Sequence, residues 1–153
     1  MGKFETRLAD MGVVLPQAPA PAANYVPYVQ VGDMVYVSGQ IAKDGDTLLT
    51  GKLGADMDTA AGADAAKVCA IALLAQVKAA CGGDLDRLVR VVKLTGFVNS
   101  TPDFTEQPAV INGASNFIGD ALGDVGKHAR AAVSAPSLPF GVAVEIDGVF
   151  QIK

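Results

Sequence analysis

The sequence has no tryptophan, one histidine and two cysteines among its 153 residues. With so few imidazole and thiol groups, and no close grouping of them, a metal site is not expected. The two cysteines, Cys69 and Cys81, lie in or at the end of one apolar helical stretch. We therefore predict buried free thiols in a reducing compartment.

Charge is also scarce. Charged residues make up 18% of the chain, and the formal net charge is −4. An acidic balance repels phosphate backbones, and the basic groups near residues 87–93 and 127–130 are too small to form a nucleic-acid footprint. The composition therefore argues against a nucleic-acid partner.

No apolar run in the sequence approaches the length that crosses a bilayer, so no membrane partner is expected. The first eight residues carry Lys3, Glu5 and Arg7 and lack the apolar stretch of a signal peptide. We therefore expect a cytoplasmic location. Half of the residues are apolar, which is enough to fill one core in a chain of single-domain size.

The periodicity predicts one α+β domain covering residues 1–153. Residues 1–15 favour a short helix ending at Gly12, and residues 16–23 favour a Pro/Ala connector on the surface. One sheet with both later helices on one face is the economical arrangement. The remaining elements are predicted in this order: a hairpin turning at Gly32-Asp33, a helix at 59–80, a strand at 88–98, a helix from Thr105, and strands at 129–135 and 141–152.

The last predicted strand has two unlike faces. Alternate residues point to opposite sides of a sheet. One side carries Val142, Val144 and Ile146, which we expect beneath the helices. The other side carries small and acidic residues, among them Ala143 and Glu145, so this helix-free face is either wet or an oligomer contact.

Arg130 and Glu145 are the main chemical candidates. If the two final strands pair as a hairpin through residues 136–139, these side chains are near neighbours on one face. One interpretation is a cross-strand ion pair. The other is that the guanidinium of Arg130 grips a substrate carboxylate while Glu145 acts as a general base toward water.

Other polar candidates carry weaker signals. Ser38 begins Ser-Gly-Gln at the end of a buried strand, and Asn112 lies at the edge of a helical apolar stripe; both residue types are common in such places. His128 precedes Arg130 by two positions, but Ser38 lacks the strand-turn-helix elbow of a serine nucleophile. We therefore favour an ordinary loop-edge histidine over a Ser/His/Asp triad.

Taken together, several fragments resemble the Rid/YjgF family, also named for an L-PSP endoribonuclease activity. The C-terminal run is Arg130-Ala-Ala-Val, four residues, Leu138-Pro139, then Val144-Glu-Ile. Ser38-Gly-Gln and the segment from Asp103 to Asn112 also match, as does the Ala-Pro lead into residues 25–30. The resemblance covers nearly all of residues 18–152.

This resemblance implies a chorismate-mutase-like fold: a single mixed sheet in a homotrimer whose sheets line a central barrel, with ligand clefts between subunits. It implies hydrolytic deamination of small 2-imino or enamino acids, without a cofactor. Arg130 then matches the substrate-carboxylate arginine and Glu145 the residue that positions or activates water. Ser38 and Asn112 match polar cleft residues, and the cleft tyrosine is Tyr25 or Tyr28, with Tyr25 favoured.

Two features depart from the family pattern. Ala132 stands where a cysteine is often found, so thiol chemistry is excluded there, although its backbone amide can still bind substrate. The N-terminal helix is additional to the shorter members and indicates a distinct branch. A non-catalytic module that binds a small carboxylate in the same cleft is the alternative, and ribonuclease activity is disfavoured by the acidic charge.

Overall fold

The computed structural model describes residues 1–20 and 24–153. The last three residues of the predicted connector, 21–23, lie outside the described residues. The helices are α1 (Lys3–Asp10), α2 (Thr59–Ala80) and α3 (Gln107–Leu122). The strands are β1 (Tyr28–Val31), β2 (Met34–Ile41), β3 (Lys43–Asp44), β4 (Thr47–Leu48), β5 (Leu88–Asn99), β6 (Ala129–Ala135) and β7 (Val144–Ile152).

Five strands form one mixed sheet in the order β1-β2-β7-β5-β6. In this sheet β5 and β6 are parallel, and the other neighbours are antiparallel. The predicted hairpin is confirmed, since β1 and β2 turn at residues 32–33. The last strand begins at Val144, later than predicted, because a short 3-10 turn at Pro139–Gly141 precedes it. The α+β prediction is thereby confirmed.

Both long helices cover the same face of the sheet. The α2 helix begins at Asp58, whose side chain accepts a hydrogen bond from the amide of Ala61 at 2.8 Å, a standard N-cap. Along β7 every second residue is buried beneath the helices, from Val144 to Ile152. The opposite, helix-free side of the sheet is called the open face below.

The expectation that no segment approaches membrane length is wrong for α2. The helix has 22 residues and is apolar enough, by length and composition alone, to span a bilayer. In the structure more than half of its apolar stretch is buried. A core helix that packs both on a sheet and against a neighbouring helix can be as apolar as a spanning helix, which is why this helix is so apolar.

The N-terminal helix is tied to the core by a distant carboxylate. Asp86 accepts hydrogen bonds from the amides of Lys3 and Phe4 at 2.9 and 3.1 Å. These bonds satisfy free N–H groups of the first turn, and they lower the pKa of Asp86. Phe4 and Leu8 are buried in the main cluster. Helix α1 is therefore packed as part of the core.

Helices α2 and α3 approach so closely that one position accepts only glycine. An ideal Cβ at Gly113 would lie 2.0 Å from the carbonyl oxygen of Ala63, a backbone atom that cannot move away cheaply. Gly119, on the same helix, has no atom within 4 Å of such a Cβ. The two glycines therefore make a matched pair.

We expect Gly113→Ala to lower the free energy of unfolding by about 2–3 kcal/mol, since the helices must separate. Gly119→Ala should instead raise it by up to about 1 kcal/mol, because alanine is the better helix former. Urea unfolding followed by circular dichroism measures both. Equal effects of the two substitutions would contradict the close helix contact.

Candidate functional site

Arg130 is held against α3 rather than extended into solvent. Its Nη1 donates to Ser115 Oγ at 3.1 Å, and its Nη2 donates to the carbonyl oxygen of Pro108 at 3.3 Å. The side chain lies on the helix-covered side of β6, because its ladder partner is the buried Leu94. The position of the guanidinium is therefore set by two acceptors on one helix.

The guanidinium of Arg130 has more N–H groups than it uses in hydrogen bonds to the described residues. It has five N–H groups, and the structure assigns acceptors to two of them among the described residues. It lines a cavity of about 370 Å³, called the arginine cavity. The arginine cavity is formed by Asn112, Ser115, Gly119, Gly126, Lys127, His128 and Arg130. A carboxylate in this cavity would meet a restrained arginine with free N–H groups.

The structure brings two other predicted residues near Arg130. Asn112 lines the same cavity from α3, one helical turn before Ser115. Ala132 lies two positions along β6 and therefore on the same side of the sheet, opposite Gly96. Ala132 is not among the residues that line the cavity.

Glu145 lies in the middle of the sheet on the open face. Its ladder partners are Ile41 on β2 and Phe97 on β5. An ideal Cβ at Gly39 would lie 3.1 Å from the carboxyl carbon of Glu145, so the glycine leaves room for this group. Partial burial, followed by the negative charge of Asp147, raises the pKa of Glu145. This carboxyl group therefore holds a proton more readily than a free glutamate does.

The predicted hairpin between the two final strands is wrong. Strand β5 lies between β6 and β7, since β6 pairs with β5 in parallel and β7 pairs with the other side of β5. Arg130 faces the helices and Glu145 faces the open side. Of the two ion pairs among residues 1–20 and 24–153, neither includes Arg130 or Glu145. An ion pair between them within one chain is therefore excluded.

The remaining predicted residues meet at a second cavity. Tyr25 and Ser38 line a space of about 450 Å³ near the end of β2, called the tyrosine cavity. The hydroxyl of Ser38 donates to the carbonyl oxygen of Val26 at 3.0 Å, which holds the segment after Tyr25 against β2. Tyr28 lines a separate cavity with Val26 and Gln76. Tyr25, not Tyr28, therefore shares a cavity with Ser38.

The only histidine takes part in a network that the sequence did not indicate. His128 Nε2 lies 2.9 Å from Ser115 Oγ, and His128 Nδ1 lies 2.6 Å from the carbonyl oxygen of Gly126. The partner of His128 is thus Ser115, while Ser38 is bonded elsewhere, which agrees with the absence of a Ser38 triad. Ser115 had one usable signal: it lies three positions after Asn112 on the same helix face.

The two groups of polar residues belong to different parts of one chain. Arg130 and Asn112 lie at the β6 edge, whereas Glu145, Ser38 and Tyr25 lie at or beside β2 and β7. Within the described ranges, no three His, Cys, Asp or Glu side chains come close enough together to hold a metal ion. One group therefore offers the N–H donors of Arg130, and the other offers the carboxyl group of Glu145, whose pKa is raised.

Comparison with known proteins decides the family. The family model described as "YjgF/chorismate_mutase-like, putative endoribonuclease" matches residues 5–147. The chain belongs to the YjgF family. The matched range contains Tyr25, Ser38, Asn112, Arg130 and Glu145, so the whole set falls within the family domain.

Several known proteins are similar to this chain over nearly its whole length. Protein TCP17 of Trypanosoma cruzi is 49% identical over 99% of this chain and 96% of its own length. The crystal structure of Atu1372 from Agrobacterium tumefaciens is 50% identical, with a TM-score of 0.92 over 99% of this chain and 93% of that one. A "putative endoribonuclease" from Shewanella oneidensis MR-1 is 30% identical, with a TM-score of 0.92 over 99% and 100% of the two chains.

The two thiols lie away from both the arginine cavity and the tyrosine cavity. Cys69 and Cys81 are buried. Burial is the largest cause that raises the pKa of each thiol, and the charge of Glu145 adds to it at Cys69. Neither thiol is therefore available as a thiolate nucleophile in the folded protein.

We expect the native protein to react with Ellman's reagent only as fast as local unfolding exposes Cys69 and Cys81, because the thiolate is the reacting form and burial prevents its formation. Addition of denaturant should release the full count of two thiols per chain. Absorbance at the thionitrobenzoate band measures both phases. A rapid reaction of one thiol in the native protein would contradict the burial of these side chains.

Proposed function

We propose that the protein hydrolyses small 2-imino or enamino acids to 2-keto acids and ammonia, in a cleft formed between two copies of the chain. The observation that carries this proposal is the guanidinium of Arg130, restrained by α3 but with N–H groups left for a ligand. A planar carboxylate is the anion that two parallel guanidinium N–H groups fit.

The separation of Arg130 from Glu145 supports a site shared between copies. The two side chains point to opposite sides of one sheet, with β5 between their strands. A single chain cannot bring them to one small substrate. If the β6 edge of one copy lies beside β2 and β7 of the next, Arg130 and Asn112 face Glu145, Ser38 and Tyr25 across the contact.

The open face supports self-association. Its exposed apolar side chains come from both ends of the sheet, and they are Val29, Val31, Tyr36 and Val133. Apolar groups gathered on one face mark an interaction surface, because burying them releases ordered water. We propose a homotrimer in which the open faces line a central barrel.

The proposed reaction needs only a few groups from the protein. An imine carbon is already electrophilic, so water adds to it to give a carbinolamine, which expels ammonia and leaves the 2-keto acid. In this proposal Glu145 takes a proton from water as the carbon–oxygen bond forms on the protonated imine, and gives it to the nitrogen of the carbinolamine. As the carbon–nitrogen bond breaks and ammonia leaves, the carbinolamine hydroxyl loses its proton to Glu145 and becomes the keto oxygen. Holding the carboxylate and aiming the water supplies part of the roughly 7–11 kcal/mol that orientation can contribute. The proposed step uses no cofactor.

A structural relative is consistent with a small amino-acid-like ligand. The crystal structure of Escherichia coli TdcF has bound serine, and that chain is 25% identical, with a TM-score of 0.63 over 90% of this chain and 94% of its own. Serine is not an imine, so its presence in that relative favours a second candidate function for this chain: a non-catalytic module that binds a small carboxylate. Saturable binding of pyruvate without turnover of 2-iminopropanoate would identify that second function.

The main experiment mixes two inactive variants. Arg130→Ala and Glu145→Gln should each reduce ammonia release from freshly generated 2-iminopropanoate by about a hundredfold or more, since each removes one half of the site. Co-refolded in equal amounts, they should recover about one quarter of wild-type activity, because in a cyclic trimer one contact in four then pairs an intact Arg130 with an intact Glu145.

The control co-refolds Arg130→Ala with a double variant that carries both Arg130→Ala and Glu145→Gln. Every contact then lacks Arg130, so no activity should return. Sedimentation confirms that the mixed chains assemble. Trimers that contain both single variants and remain inactive would refute the shared site, and an active Arg130→Ala variant would refute the role of the arginine.

The pH profile tests Glu145 separately. A general base acts as the carboxylate, so activity is lost as the pH falls through the raised pKa of Glu145. Asp147→Asn removes a negative charge that raises this pKa, so the acid limb of kcat/KM should move to lower pH. Asp46→Asn, in the exposed β3–β4 turn, serves as the control. An acid limb that stays in place, or moves upward, would exclude Glu145 as the titrating base.

A further inference from the structure

The side chains of Arg130, Ser115 and His128 form one continuous chain of hydrogen bonds. Arg130 Nη1 lies 3.1 Å from Ser115 Oγ, Ser115 Oγ lies 2.9 Å from His128 Nε2, and His128 Nδ1 lies 2.6 Å from the Gly126 carbonyl oxygen. The family resemblance gave no role to Ser115 or His128.

The direction of each hydrogen bond follows from the group at either end. The carbonyl of Gly126 can only accept, so His128 Nδ1 carries the hydrogen. In a neutral ring Nε2 is then an acceptor, and the hydroxyl of Ser115 donates to it. This leaves the lone pairs of Ser115 Oγ directed to Arg130, which can only donate.

The second acceptor of Arg130 fits the same geometry. Pro108 and Ser115 are seven positions apart, so they lie on one face of α3. A helical carbonyl points toward the C-terminus, while a helical side chain leans back toward the N-terminus. The two acceptors therefore converge, and the guanidinium spans the gap between them.

We propose that Ser115 is the positioning residue for Arg130, and that His128 sets the orientation of the Ser115 hydroxyl. This inference rests on the proposed function, because it assumes that Arg130 binds the substrate carboxylate. Ser115 and His128 do not touch the reacting atoms; they reduce the freedom of a long side chain before the ligand arrives. A pre-ordered guanidinium binds more tightly because less rotamer entropy is lost on binding.

The affinity test uses pyruvate, a stable 2-keto acid. Ser115→Ala removes a hydrogen bond to a charged group, so the Kd for pyruvate should rise by roughly ten- to a hundredfold while the protein stays folded. Ser115→Thr keeps the hydroxyl and should restore most of the affinity. Asn116→Ala, at the next, exposed position of α3, is the matched control and should leave Kd unchanged.

The tautomer test does not depend on any ligand. His128 is the single histidine of the chain, so its ring nitrogens give one unambiguous set of NMR signals. In the unliganded protein, at a pH at which the imidazole is uncharged, the ring should be protonated at Nδ1 and not at Nε2. A ring protonated at Nε2 would overturn the proposed hydrogen-bond direction, whatever the enzyme does.

The outcomes separate the two proposals. If Arg130→Ala abolishes pyruvate binding but Ser115→Ala binds it as the parent does, the positioning role is wrong and the proposed function stands. If Arg130→Ala binds pyruvate normally, the proposed function fails, and the positioning role fails with it. Loss in Ser115→Ala with recovery in Ser115→Thr supports the role, since a merely space-filling serine would not need its hydroxyl.

Discussion

The parallel pairing of β5 with β6 is the constraint on which the candidate site depends. Parallel neighbours cannot be joined by a tight turn, so the chain must cross over between them, and here α3 makes that crossing. The crossover brings α3 alongside the first residues of β6. As a result, Arg130 finds both of its protein acceptors on α3.

The same pairing separates the two charged groups. With β6 at the edge and β7 in the centre, Arg130 and Glu145 belong to different strands and different faces. Each group has its own surroundings. Neutral oxygen acceptors hold the guanidinium of Arg130, and partial burial favours the protonated form of the Glu145 carboxyl group. Had the two residues paired within the chain, the carboxylate of Glu145 would have occupied the guanidinium where a ligand carboxylate is proposed to bind.

Much of the fold could be predicted because it depends on local patterns. The glycine-aspartate turn at 32–33, the stripe of α3 and the alternation along β7 all follow from backbone sterics and the side-chain periods of 3.6 and 2. The pairing of the last strands could not be predicted in this way. The short loop after β6 is compatible with a hairpin, and only the packing of β5 against both strands excludes one. The role of Gly39 beside Glu145 was likewise hidden, because the contact lies between distant segments.

The sequence by itself determined the order of the main helices and strands, the α+β class, the family resemblance and the residue types that carry charge; it did not determine the short strands β3 and β4. These properties follow from composition, period and motif, which need no knowledge of distant contacts. Tertiary structure alone decided which strands are neighbours, and therefore that Arg130 faces α3 while Glu145 faces away from it. It also decided that His128 bonds to Ser115, because a hydrogen bond requires two groups within about 3 Å of each other and spacing along the chain does not set that distance.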